Sequence, residues 1–525
     1  MGLDGRDGGG GLGGVLQTWL APRTLDVLWF TLWQAALSTV LTVLAALPVA
    51  FVFARFEFRG KRLLRALATV AFVLPTVVVA SAFVALLGPR SPLNDVIEAV
   101  LGAGQRPIAL DGSIWAILLA HVFFDFAIVL RLVGGVWAQL DPRAEEAARV
   151  LGASGWAVFR EVTLPLLRPA IASAAAIVFL FTFTSFGVIL LLGSAGTVTL
   201  EVEIYRATAQ LLDLPLASSL ALLQMSAVIL LLLVSARVGE RLAVAQRLRP
   251  AEDSARRPRD RRERVTVAAT TGAMLLLLGG PLAILVERSF ATSAGYGLDA
   301  YRALGQTGAR SGLFVPPIEA IGNSLAFAVA TMLLATILGL LAAAAVAYRR
   351  GSVSGGLDAL LMLPLGTSAV TLGFGFIVAL DEPPLDLRTS PLLIPLAHTL
   401  VAIPFVVRAT VPLIRSIEPR LREAAAVLGA PPRRVWREVD APVIARAAAI
   451  GAGFAFAVSL GEFGATLFIA RPDVPTVPVA IFRLLGLPGA LTFGQAMAMS
   501  TILMILTAAA VLVVERWRSG QPQVF

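Results

Sequence analysis

Eleven separate stretches of the chain are apolar over about the length that a helix needs to cross a bilayer. No other feature of the sequence constrains the fold as strongly. They run roughly from Leu28 to Ala54, Ala66 to Leu87, Ile114 to Leu140, Ala170 to Leu192, Ala217 to Val238 and Val265 to Val286. Five more follow, from Ser324 to Tyr348, Leu357 to Leu380, Leu392 to Ile414, Ala447 to Ile469 and Thr492 to Val514. A hydrocarbon core about 30 Å thick asks for about 20 apolar residues per helix. Inside it each backbone N–H and C=O must be satisfied within the segment, so such runs become helices. Composition agrees: 57% of residues are apolar and 15% charged, against about 25% charged in a soluble domain. The expected fold class is an all-α polytopic membrane protein. Pro48 and Pro75 lie inside apolar runs, where neighbouring helices can satisfy the freed carbonyl.

The formal charge of +9 has an address. Arg55, Arg59, Lys61, Arg62 and Arg65 follow the first run, and Arg143, Arg149, Arg160 and Arg168 follow the third. Six arginines between Arg256 and Arg264 follow the fifth, and Arg349 with Arg350, the stretch Arg415 to Arg446, and Arg516 with Arg518 fall on the same side. By the positive-inside rule that side is the cytoplasm. The charge therefore reports topology, with the lipid bilayer as partner and no nucleic acid. The opposite loops, such as Pro89 to Gly112, Gly193 to Leu216 and Asp381 to Pro391, mix acids with isolated arginines. The absence of cysteine excludes disulfides, thiolate metal sites and cysteine nucleophiles. With a cytoplasmic C-terminus, eleven spans put the N-terminus outside. Residues 1–24 form a Gly-rich tail without the apolar core of a signal peptide. Either the first half has one span fewer than the second, or a further helix lies upstream and the total is 12.

The second half of the chain repeats the first. AHVFFDFAIVLR (Ala120 to Arg131) matches AHTLVAIPFVVR (Ala397 to Arg408), 277 positions on, and the only two histidines, His121 and His398, coincide. The register continues to TLEVEIYR (Thr199 to Arg206) and TVPVAIFR (Thr476 to Arg483). Both copies place their arginine-rich loop in the cytoplasm, so the repeats are parallel, related by an axis along the membrane normal. The predicted organisation is a first membrane domain over 25–240, a basic cytoplasmic linker over 241–264 near anionic headgroups, and a second membrane domain over 265–518, about five plus six helices.

Each repeat carries E-A-A, three residues, Gly, and Pro thirteen residues after the Gly. The copies are Glu146-Ala147-Ala148, Gly152, Pro165 and Glu423-Ala424-Ala425, Gly429, Pro442. The pattern predicts a helix favoured by Ala and Glu, a glycine turn and a second short helix ended by the proline. Glu161 and Glu438 also hold the same register, beside Arg160 and Arg437. Exposed charged loops kept alike in two copies point to partner binding.

These loops resemble the EAA loops of type I ABC importer permeases. The resemblance implies that the helix after each motif docks on a separate ATPase subunit, so that two copies of a cytoplasmic ABC ATPase serve the chain. It also implies an extracytoplasmic substrate-binding protein or lipoprotein. The chain itself has no catalytic or metal residues and no cofactor; ATP and Mg are used by the partner. Lys61 lies in Arg59-Gly60-Lys61-Arg62, which does not fit a phosphate-binding G-x-x-x-x-G-K-[S/T] loop. Fusion of two copies resembles the thiamine and ferric iron branch, whereas SLGEFGATLFI (Ser459 to Ile469) resembles sulfate and molybdate permeases.

Ionisable residues within spans mark a pathway or a buried pair. The candidates are His121, Asp125, Glu462 and, at the repeat position of Glu462, Ser185. Acids along a path suit a cationic solute; an oxyanion would call for arginine. The competing structural reading pairs Asp125 with His121, four residues away on one helix face, and Glu462 with backbone or a neighbour. The expected function is ATP-driven import of a small cation of the thiamine or ferric iron type. The alternatives are an oxyanion permease of the sulfate or molybdate type and a proton-coupled secondary transporter with parallel repeats.

Overall fold

The computed structural model describes residues 12–102, 108–194, 196–242, 255–292, 295–306, 315–348, 352–380, 387–388 and 390–518. Residues 1–11 of the Gly-rich tail expected over 1–24, linker residues 243–254, Arg349 with Arg350, and residues 381–386 of an outer loop lie outside the described residues. The rest of that tail is not a plain tether, being helical over Leu12–Trp19 and again from Pro22.

In chain order the first repeat holds α1 (Leu12–Trp19), α2 (Pro22–Arg55), α3 (Lys61–Val73), α4 (Thr76–Leu87), α5 (Pro92–Leu101), α6 (Ile114–Gln139), α7 (Arg143–Val150) and α8 (Gly155–Val158). It continues with α9 (Leu164–Phe183), α10 (Gly187–Leu192), α11 (Leu200–Tyr205) and α12 (Leu214–Leu242). Then come α13 (Arg261–Phe290), a two-residue hairpin of β1 (Ala291–Thr292) and β2 (Gly295–Tyr296), and α14 (Asp299–Arg302). The second repeat holds α15 (Pro317–Tyr348), α16 (Ser352–Gly366), α17 (Ala369–Ala379), α18 (Leu393–Arg415), α19 (Pro419–Val427) and α20 (Pro432–Val435). It ends with α21 (Ala441–Gly461), α22 (Gly464–Ile469), α23 (Val477–Leu485) and α24 (Ala490–Arg518).

Ten helical stretches among the described residues are long and apolar enough to span a membrane, and the shorter apolar α17 follows α16. Two runs that read as continuous in the sequence are broken. Between α3 and α4 the break falls at Leu74 and Pro75, where proline removes a helix N–H. Between α16 and α17 it falls at Thr367 and Ser368, where Ser368 Oγ accepts from Thr371 N at 3.0 Å and caps the new helix.

The chain packs as two compact units, one of Met1–Phe72 with Ala82–Ile284 and one of Val73–Ser81 with Leu285–Val524. Each is built on a three-helix core: α2, α6 and α9 in the first, α15, α18 and α21 in the second. Small residues let these helices approach closely. In the second unit Ala335, Ala402, Val406 and Ala455 form one such cluster. Matching bonds confirm the duplication in three dimensions: Leu200 N donates to Thr31 Oγ1 at 3.1 Å, and Val477 N donates to Ser324 Oγ at 2.8 Å. Thr31 and Ser324 stand 293 positions apart, however, whereas Leu200 and Val477 stand 277 apart. The difference falls in the connection between α4 and α6, which contains α5. Asn94 anchors that helix, giving Nδ2 to Ile108 O at 2.6 Å and accepting Ile108 N at 3.0 Å.

The turn from α2 to α3 is tied by the only lysine in the chain. Lys61 Nζ donates to Phe56 O and to Glu57 Oε2, both at 2.8 Å, and its side chain is 7% exposed.

Candidate functional site: paired cytoplasmic loops and a buried polar seam

The spacing of the EAA motif is a hydrogen-bond pattern. In the first loop Ala153 N donates to Ala148 O at 3.0 Å and Gly152 N to Arg149 O at 2.9 Å. In the second, Ala430 N donates to Ala425 O at 3.0 Å and Gly429 N to Ala426 O at 2.9 Å. This pair of bonds, one spanning six residues and one nested within it, closes a helix C-terminus around a left-handed residue. Gly152 has φ +87° and Gly429 φ +81°, so each motif glycine stands where a Cβ is strained. The last alanine of each motif supplies the carbonyl that the turn needs.

The turn turns two apolar side chains outward. Val150 and Leu151 are each 88% exposed, and Val427 and Leu428 each 87%. Trp156 on α8 and Trp436 after α20 are exposed as well. Glu146, Ala147 and Glu161 of the first loop and Glu423, Ala424 and Glu438 of the second are exposed, with Ala148 and Ala425 half-buried. The prolines behave differently from expectation. Pro165 and Pro442 do not end the second short helix. Each α8 or α20 passes through a π-helical turn, Phe159–Thr163 or Trp436–Asp440, straight into α9 or α21. Each proline sits in the first turn of that helix, where its missing N–H costs little.

Beneath each loop lies a triad built at the same three register positions from different residues. In the first unit Arg55 Nη2 meets Glu145 Oε1 at 2.5 Å, and Thr163 Oγ1 donates to the same oxygen at 3.0 Å. In the second unit Tyr348, Arg422 and Asp440 occupy the corresponding places. Arg422 donates through Nε at 2.8 Å and Nη2 at 2.7 Å to Asp440 Oδ1, and its guanidinium stands 5.9 Å from the centre of the Tyr348 ring. The hydrogen bond to Asp440 pushes the Arg422 pKa above its ordinary value. Acid and base have changed places between the two loops.

A buried polar seam runs along α2. Thr31, Gln34, Ser38 and Thr42 are all fully buried, at helical spacing on one face. Gln34 Nε2 donates to Thr182 O at 3.0 Å; Ser38 Oγ bonds His121 Nδ1 at 2.9 Å; His121 Nε2 bonds Ser185 Oγ at 2.9 Å. The structure thus joins His121 to Ser185 and satisfies both ring nitrogens with hydroxyls. Asp125 is 4% exposed one turn further on, and its expected pairing with His121 is replaced by those two serines. Towards the outside, Glu201 on α11 accepts from Gln224 Nε2, and Glu203 pairs with Arg23 at 2.7 Å.

The second unit repeats the histidine but drains the seam. Positions matching Gln34, Thr42, Asp125, Glu201 and Glu203 are Phe327, Ala335, Ala402, Pro478 and Ala480. His398 Nδ1 bonds Ser459 Oγ at 2.8 Å and Nε2 bonds Thr466 Oγ1 at 2.7 Å. Glu462 accepts from Ala465 N and Thr466 N, both at 3.0 Å, and from Thr466 Oγ1 at 2.6 Å, and its Oε2 lies 3.5 Å from His398 Nε2. Gly464 lets α22 approach α17, since a Cβ there would come 2.8 Å from Ala369 Cβ.

The family model for the binding-protein-dependent transport system inner membrane component matches residues 38–246 and 335–518. The chain belongs to this family. The two matched stretches each contain one EAA loop, so the chain is a fused two-domain ABC importer permease, and the ten apolar spans among its described residues make it a multi-pass inner membrane protein. Thiamine transport system permease protein ThiP of Brucella abortus (strain 2308) is 27% identical over 501 residues, covering 94% of this chain and 88% of the relative. ThiP of Escherichia coli (strain K12) is 28% identical over 481 residues, covering 89% and 85%. Molybdenum transport system permease protein ModB of Azotobacter vinelandii is 30% identical over 189 residues, 35% of this chain and 81% of the relative.

Within a permease of this kind several residues beyond the sequence candidates draw attention. Gln34, Ser38 and Thr42 show in the sequence as polar positions three and four apart within an apolar run. Glu201 and Glu203 lie within the repeated TLEVEIYR segment but were not expected at a buried position. The loop triads give no local signal, because Arg55 and Glu145 are 90 residues apart.

Proposed function

We propose that this permease imports a small cationic solute of the thiamine type, driven by two ATPase subunits and supplied by an extracytoplasmic binding protein or lipoprotein. The observation that carries the reading is full-length likeness to fused thiamine permeases, joined to a first unit whose buried seam holds Asp125, Glu201 and Glu203. Buried acids favour a cation in passage. Val150 with Leu151, and Val427 with Leu428, are the contacts for the two ATPases, because paired apolar residues at the tip of a charged loop mark a protein interface. The ATPases bind ATP and Mg, closing on the loops; α7 and α19 pass that motion through the triads into α9 and α21.

An oxyanion reading is favoured by the 30% identity to ModB over one repeat and by the SLGEFGATLFI segment, Ser459 to Ile469. Calorimetry with the cognate binding protein separates the readings: thiamine is expected to bind with nanomolar affinity, with ferric iron and molybdate far weaker. Tight binding of molybdate alone would overturn the cation assignment. Uptake into proteoliposomes is expected to require both the ATPase and ATP; uptake driven by a proton gradient without ATP would overturn the importer mechanism.

A further inference from the structure

The linker between the repeats is a basic, proline-containing run that reads as a solvated tether. Its described end is instead docked. Arg256 N donates to Arg55 O at 3.1 Å, and Glu57 N donates to Arg256 O at 2.9 Å, so one residue of the linker forms a strand-like bridge with the end of α2. The Arg256 guanidinium stands 5.4 Å from the centre of the Phe56 ring, within cation–π range. It also forks onto Glu263, with Nη1 to Oε2 at 2.9 Å and Nη2 to Oε1. That carboxylate has a second task, since Oε2 accepts Arg259 N at 2.8 Å while Glu263 N donates to Asp260 Oδ1 at 2.7 Å. Asp260 thus caps the start of α13, and Glu263 reaches back to the residue before the cap. Hydrogen bonding to Glu263 holds the Arg256 pKa above its ordinary value.

The docking point matters because of what Arg55 does next. Its side chain reaches Glu145 of α7 through Nη2 alone, while its buried Nε and Nη1 have no hydrogen-bond partner among the described residues. A guanidinium held by a single bond is placed by its backbone, and the backbone at Arg55 is what Arg256 holds. We infer that Arg256 is a positioning residue for the first EAA loop: the linker straps the end of α2, fixes Arg55 and thereby sets the base of α7. The second loop is braced differently, by Arg422 and Asp440, so the strap acts on one loop only. The linker is then a working part of the first coupling site as well as a connection between halves.

Hydrogen exchange by mass spectrometry on the full chain in nanodiscs tests this without any ATPase or substrate, so its outcome is independent of the transport reading. Arg256→Pro removes the N–H given to Arg55. Amides of residues 145–163 are expected to exchange roughly three- to tenfold faster, the range for losing one net backbone hydrogen bond, while residues 422–440 stay at the parent rate. Arg256→Glu is expected to do the same, and Arg256→Glu with Glu263→Arg to restore protection. Unchanged exchange over 145–163, or equal acceleration in both loops, would overturn the proposal.

Discussion

The two EAA loops share an outline and differ at the base. Both end α7 or α19 with the same pair of hydrogen bonds around a left-handed glycine, and both expose Val-Leu at the tip. Beneath them, Arg55, Glu145 and Thr163 in one unit become Tyr348, Arg422 and Asp440 in the other. All three positions change, yet the link from the EAA helix to the re-entering helix survives. The Glu-Ala-Ala and Val-Leu-Gly-Ala segments of the turn are kept residue by residue, whereas the brace is kept only as an interaction. A glycine turn, and the shared docking role proposed for its tip, constrain side-chain identity; an internal brace constrains only complementarity.

That contrast can be broken deliberately. Glu145→Arg alone sets two guanidiniums against each other in a site where Arg55 is 11% and Glu145 13% exposed. We expect a loss of about 3–5 kcal/mol, the range for stranding a buried charge, seen as a fall in thermal midpoint. The triple change Arg55→Tyr, Glu145→Arg, Thr163→Asp rebuilds the second unit's brace in the first and is expected to recover most of it. A triple variant no more stable than the single one would show that the braces are not exchangeable.

Gly152→Val and Gly429→Val come next. Each forces a β-branched residue into a left-handed conformation, at a cost of about 1–3 kcal/mol. Both variants are expected to remain in the membrane and to lose ATP-driven uptake alike; unequal uptake would show that the tips are less equivalent than their bonds.

The seams offer a third comparison. Asp125→Ala copies Ala402 into the first unit. Removing a buried carboxyl is expected to leave the thermal midpoint unchanged or raise it by the equivalent of about 1 kcal/mol, while uptake of a cationic solute falls. Full uptake would restrict Asp125 to a packing role.

The smallest effect on the fold is expected from Leu151→Ser and Leu428→Ser. These exposed positions are expected to alter stability by no more than about 0.5 kcal/mol while each reduces the ATPase retained on purification. Undiminished retention would remove the tips from the interface.

What could be read in the sequence follows from how local each interaction is. The glycine turns were legible because their bonds span six residues and demand one residue type. The spans were legible because lipid imposes one rule on every residue. The break at Pro75 was hinted at by proline, but that at Thr367 and Ser368 was not, since a serine cap looks like any polar residue. The reading of Pro165 and Pro442 as helix ends failed because a π-helical turn lets the chain run through. Asp125 and His121 looked paired at helical spacing, yet Ser38 and Ser185, from two other helices, took both ring nitrogens. The braces and the strap depend on residues far apart in the chain, and no periodicity marks them.

The way Lys61 is buried has a practical consequence. A chain whose sole lysine amine is engaged by Phe56 O and Glu57 Oε2 offers amine-directed reagents almost nothing beyond its own α-amino group. In a complex, such reagents will modify the partners and pass over the permease. A lysine installed at Leu151 or Leu428 then becomes the one addressable side-chain amine, and a crosslink from it names the neighbour of that one loop.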